Sequence, residues 1–171
     1  MHKKIIALFL AGTLSLSYVL SASATDLTDK QKSTIVASCS SIKSNLKSIQ
    51  HLDARTRTYY GRYYENIFTD YMVALNTRLV KNSTSDSDLA KIQSDFSSTR
   101  NDFNSDYIDY SKTFEELIAI DCVNSPSDFY STLKKVQEKR AKIVTDIKKL
   151  SKIITDFRAG VVKLKDSYGK K

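Results

Sequence analysis

From Phe129 to Tyr168 the sequence repeats one spacing without a break. Phe129, Leu133, Val136, Arg140, Ile143, Ile147, Leu150, Ile154, Phe157, Val161, Leu164 and Tyr168 follow one another four and three residues apart. Every member but Arg140 is apolar. Such a heptad seam is compatible with a long α-helix that buries one stripe and with little else. Ser125, Pro126 and Asp128 place its start: a capping residue, a proline in the first turn and an acid closing a capping box.

The same spacing runs through two earlier segments. Ile35, Cys39, Ile42, Leu46 and Ile49 form a seam after Thr28 or Asp29, either of which can cap a helix. Leu89, Ile92, Phe96, Thr99, Phe103, Tyr107, Tyr110, Phe114 and Leu117 form another, with Ser85 and Asp88 in capping-box relation before it. Lys81 and Asn82 mark the end of the first helix, Asn82 being tolerant of a left-handed cap. With 4 glycines and 1 proline in 171 residues, the chain lacks the turn formers that a β-rich fold needs. The expectation is an all-α, elongated, antiparallel three-helix bundle with coiled-coil-like heptads, or four helices if the first breaks near residue 52, where Asp53 could cap a second segment.

Residues 1–24 read as a cleaved signal peptide. Lys3 and Lys4 precede an apolar stretch from Ile5 to Leu20, and Ala22-Ser23-Ala24 has the small-x-small form of a cleavage site. Residues 25–171 then form a single helical domain. Export makes the two cysteines informative, since an oxidising compartment favours pairing. Antiparallel helices joined near residue 83 bring Cys39 close to residue 127, within about a turn of Cys122. A Cys39–Cys122 disulfide at the end of the bundle remote from Asn82 follows.

The stretch Arg55–Tyr71 holds five of the 10 tyrosines. On a helical wheel Tyr60, Tyr63, Tyr64, Ile67, Phe68, Tyr71 and Leu75 share a broad arc, which reads as core. Tyr59 lies off that arc. Arg140, a charge on an apolar seam, calls for a carboxylate. The hairpin register brings Asp106 or Asp109 near it, and Tyr60 or Tyr110 could join a buried polar layer. Such a layer commonly fixes register.

The formal charge of +8 is unevenly distributed. Residues 25–82 carry nine basic and five acidic side chains, residues 83–122 three and nine, and residues 123–171 thirteen and five. An acidic middle helix between basic neighbours suggests internal complementarity. The surplus, with Arg55, Tyr59 and Arg62 on the first helix and Lys148, Lys149 and Lys152 on the third, marks a candidate ligand or partner surface. Export makes nucleic acid a poor partner.

Chemistry-bearing patterns are sparse. The only histidine after residue 24 is His51, and metal-ligand spacings, phosphate loops and nucleophile elbows are missing. No metal and no cofactor are expected. The reading is an exported, non-enzymatic helical interaction or scaffold module of a bacterial envelope or the extracellular space. Its partner would be another protein or an anionic envelope component. The alternative is a holdase-like or anionic-surface-binding protein using the basic third helix. An enzyme would need a deep polar pocket lined by Arg57, Tyr60 and Arg140.

Overall fold

The computed structural model describes residues 27–168; the signal-peptide reading falls outside them. Helix α1 spans Asp29–Asn66, a π-helical stretch Ile67–Val73 follows, and α2 covers Ala74–Lys81. The backbone stays in the right-handed helical region at both joins, so these three pieces form one continuous rod. Helices α3 (Ser87–Ala119) and α4 (Pro126–Tyr168) complete an antiparallel three-rod bundle. Among the described residues there is no strand.

The ends follow local chemistry. Thr28 caps α1 in a capping box with Gln31. No break occurs near residue 52; α1 runs through Asp53, which lies buried in mid-helix. Asp86, rather than Ser85, caps α3, its Oδ1 accepting the Leu89 N–H at 3.0 Å. The left-handed residue of the first turn is Ser83 (φ 55°) and not Asn82, whose amide side chain instead donates to the Arg78 carbonyl. The second turn is built on Asp121. Its carboxylate accepts the Val123 and Asn124 N–H groups, which holds its pKa below the ordinary range.

The α4 seam is buried as its spacing demands as far as Val161, while its last member, Tyr168, is exposed. Phe129, Val136, Ile143, Leu150, Ile154 and Phe157 lie in the core, with Leu133, Ile147 and Val161 packed partly buried against it. The first rod departs from the sequence expectation. Tyr71 is 61% exposed while Met72 is fully buried. The reason is the spacing of the core residues: Tyr60, Tyr64, Phe68 and Met72 follow one another by fours. In an α-helix each step of four advances the face by about 40°, so the stripe would drift off the core. The π stretch, with its wider i→i+5 turn, absorbs the drift. Leu75 and Leu79 return to the core beyond it.

Charge complements the apolar seams. Asp88, Asp95, Asp102, Asp109 and Glu116 recur every seventh residue along α3; Lys135, Lys142, Lys149, Asp156 and Lys163 do so along α4. The structure pairs Asp88 with Lys163 at 4.0 Å and Asp109 with Lys139 at 3.5 Å. Asp95 and Asp156 fall at the same level of the hairpin. Each is neutralised by a lysine of its own helix, Lys91 and Lys152, at 2.6 Å.

The predicted disulfide is present. Cys39 and Cys122 are bonded with their α-carbons 5.7 Å apart, and both are buried. The bridge pins α1 to the α3–α4 turn, while α2 is joined to α3 at the opposite end. The residues preceding Cys39 form the first turns of α1, and Ile35 packs against the core. Closing a loop of 83 residues contributes on the order of 4 kcal/mol. Reduction is therefore expected to lower the melting temperature by on the order of 10 °C while most of the helical circular dichroism persists below the transition. An unchanged melting temperature would show that the bridge carries no stability.

Candidate functional site

Among the described residues, α1, α3 and α4 bring polar groups together in the interior around Asp53. It lies on the face of α1 that points inward, and only 7% of it is exposed. An isolated carboxylate there would be costly, but its two oxygens are separately satisfied. Tyr110 of α3 donates its hydroxyl to Oδ2 at 2.5 Å, and Arg140 of α4 donates Nη2 to Oδ1 at 2.9 Å. The residue that breaks the α4 seam is thus answered by α1. Burial, together with the bond to Asp53, pushes the Tyr110 hydroxyl far above its ordinary pKa, so it stays a donor.

This corrects the expected partners of Arg140. Asp109 pairs with Lys139 on the outer edge of the hairpin. Asp106 faces another buried acid, Asp146 of α4. The α3–α4 register alone pointed to Asp106; the parallel contact between α1 and α4 makes Asp53 the nearer acid. Tyr60 does stand beside the layer, stacked on Tyr64 with ring centroids 5.6 Å apart. Arg57 lies over the Tyr107 ring at 5.2 Å, a cation–π contact.

Arg57, Tyr60 and Arg140 do line a common cavity, with Asp53, Tyr107 and Tyr110 among its other walls. Its volume is about 30 Å³, and its walls are chiefly apolar. That is room for roughly one or two waters, well below the ~300 Å³ at which small-molecule clefts begin. The arrangement suits register and rigidity: one carboxylate ties three helices together, with a water-sized space beside it.

Asp53 was the residue that sequence reasoning missed. As an acid four residues before Arg57 and near His51, it resembled a helix cap. Its signal is positional, since it continues the seam of Cys39, Leu46 and Ile49 at heptad spacing.

The other nominated residues lie outside. Arg55, Tyr59, Arg62, Lys148, Lys149 and Lys152 are all exposed, Tyr59 by 57%. Asp53 and Arg140 set α1 and α4 side by side in parallel, so residues 55–62 and 142–149 occupy the same level of the bundle. Lys149 and Lys152 are engaged with Asp146 and Asp156. His51 is exposed. Among the described residues no group of three or more His, Cys, Asp or Glu side chains is placed to hold a metal ion.

Asp53→Ala leaves Arg140 and Tyr110 without their acceptor and is expected to cost about 2–3 kcal/mol, moderated because Arg140 is one-third exposed. Tyr110→Phe, which removes a single charge-assisted bond, is expected to cost about 1.5 kcal/mol. Urea unfolding of both variants checks the ranking. A second buried acid supplies a pH dependence. Asp146 is 3% exposed, and its Oδ2 has no hydrogen-bond partner. Burial raises its pKa, Lys149 opposes the rise, and Asp106 adds to it. Its folded pKa therefore exceeds its unfolded value, so its contribution grows as pH falls through the folded pKa and is lost as pH rises. Asp146→Asn, whose amide can donate to Asp106, is expected to raise the melting temperature at pH 7, with the gain shrinking as pH falls. A gain that is the same at every pH would contradict this.

No protein-family description, curated protein or solved structure matches this chain.

Proposed function

We propose that the chain is an exported, non-enzymatic helical interaction or scaffold module of a bacterial cell envelope or the extracellular space. The observation that carries this reading is the use to which the interior polar groups are put. Asp53, Arg140 and Tyr110 satisfy one another across three rods, and the space beside them is water-sized. The side chains best suited to chemistry thus serve the scaffold, and recognition falls to the long outer faces. The Cys39–Cys122 bridge suits an oxidising compartment. Among the described residues no helix is long and apolar enough to cross a membrane.

A second reading, binding to an anionic membrane or wall polymer, is favoured by one specific feature. Two acids of α3, Asp109 and Asp88, lie on the edge it shares with α4, where they meet Lys139 and Lys163. The cations on the far side of the bundle keep their field. Such binding would weaken with salt.

Purified, oxidised protein assayed for hydrolase and transferase turnover, alongside cross-linking to envelope fractions, tests the reading. The expectation is no turnover above buffer and partner capture that survives Arg57→Ala but is lost on Arg62→Glu. Turnover that disappears with Arg57→Ala would overturn it.

A further inference from the structure

Leu52, Arg55, Tyr59 and Arg62 follow one another three and four residues apart on α1, so they form a single outward stripe. It is an unusual one. Leu52 is 60% and Tyr59 57% exposed, whereas the neighbouring Tyr64 lies in the core and Tyr60 and Tyr63 pack partly buried against it. Arg55 and Arg62 take part in none of the ion pairs found among the described residues, in contrast to Arg100 and Arg140. The groove between α1 and α4 opens beside this stripe. Thr56 and Val144 line its wall. Tyr59 lies one turn beyond Thr56, and Lys148 one turn beyond Val144. Lys148 is exposed and likewise without an ion pair among the described residues. Two apolar groups, one with a polar tip, therefore stand among three uncompensated cations on the side of the bundle turned away from acidic α3.

We propose that this α1–α4 face docks on an anionic lipid bilayer. Leu52 and the Tyr59 ring enter the headgroup boundary, and Arg55, Arg62 and Lys148 hold lipid phosphates. The chemistry is that of a surface-lying amphipathic element: apolar anchors supply area, and each cation near an anionic surface adds attraction. Tyrosine suits the boundary because its ring is apolar and its hydroxyl stays wet. Arginine suits phosphate because its planar fork binds two oxygens at once. The inference rests on the second reading above and names its surface, which includes α1 and not the third helix alone.

The test is co-sedimentation of the oxidised protein with vesicles of phosphatidylcholine, with and without phosphatidylglycerol, at low and high salt. Binding is expected only with phosphatidylglycerol and is expected to fall with salt. R55E/R62E is expected to reduce partitioning by roughly twentyfold or more, at about fivefold per arginine lost. K135E/K142E makes the same change in net charge on another face and is expected to have a several-fold smaller effect. L52S/Y59S is expected to remove the binding that persists at high salt. All six positions are exposed, and circular dichroism with melting curves checks that each variant is folded. Equal losses for the two charge reversals, or a loss confined to K135E/K142E, would overturn this face while leaving the second reading intact. Binding to soluble polyphosphate without binding to vesicles would overturn the lipid assignment. No binding to either polyanion would overturn both the face and the second reading, leaving the protein-partner reading standing.

Discussion

The bond between Asp53 and Arg140 decides how the first rod sits on the other two. Apolar seams bring helices together but tolerate sliding by a turn, because leucine, isoleucine and phenylalanine substitute for one another along a stripe. A buried carboxylate does not. Moved one turn along α4, Asp53 would lose its guanidinium and remain desolvated, a cost several times that of a misplaced methyl group. Tyr110 takes the second oxygen, so α3 is registered by the same side chain. The parallel alignment of residues 55–62 with 142–149, on which the proposed docking face depends, is a consequence.

The α3–α4 hairpin is held differently. Its backbones approach closely, while α1 stands further off, spaced by tyrosine and phenylalanine rings. Close packing is visible at Gly160, where an added Cβ would come within 2.8 Å of Leu89. The charged edge adds direction. Acids of α3 meet bases of α4 at two levels, and only the antiparallel arrangement brings Asp88 to Lys163 and Asp109 to Lys139 together. The disulfide and the Asn82–Asp86 turn then hold both ends of the first rod, so its separation from the hairpin requires more than local fraying.

Much of this was legible in the sequence, and the exceptions share a cause. The α4 seam, the start of α4 at Pro126 and the Cys39–Cys122 pairing depend on local periodicity or on two helices at a time, and the structure has all three. The partner of Arg140 depends on three helices at once. The register of the α3–α4 hairpin by itself points to Asp106, and only the parallel neighbour α1 brings in Asp53. Tyr71 was misplaced because a fixed 100° per residue assumes an α-helix throughout, whereas the run of fours from Tyr60 to Met72 is the mark of a wider turn. An acid near a potential break commonly caps a helix, which masks the role of Asp53 in the sequence. Its place on the heptad seam was the competing signal. The exposed face of Tyr59, Arg55 and Arg62 was legible as exposed, since it lies opposite the seam. That it shares a level with Lys148 required the Asp53–Arg140 contact.

A double-mutant cycle on Asp53 and Arg140 tests the registering role most directly. Asp53→Leu and Arg140→Met each strand a charged partner, whereas the double variant replaces the pair with apolar groups of similar size. If the pair sets the register of α1, each single variant unfolds at markedly lower urea and the double variant recovers, giving a coupling of at least about 1 kcal/mol. Single effects that simply add, to within about 0.5 kcal/mol, would show that Asp53 and Arg140 act independently and that some other contact aligns the first rod.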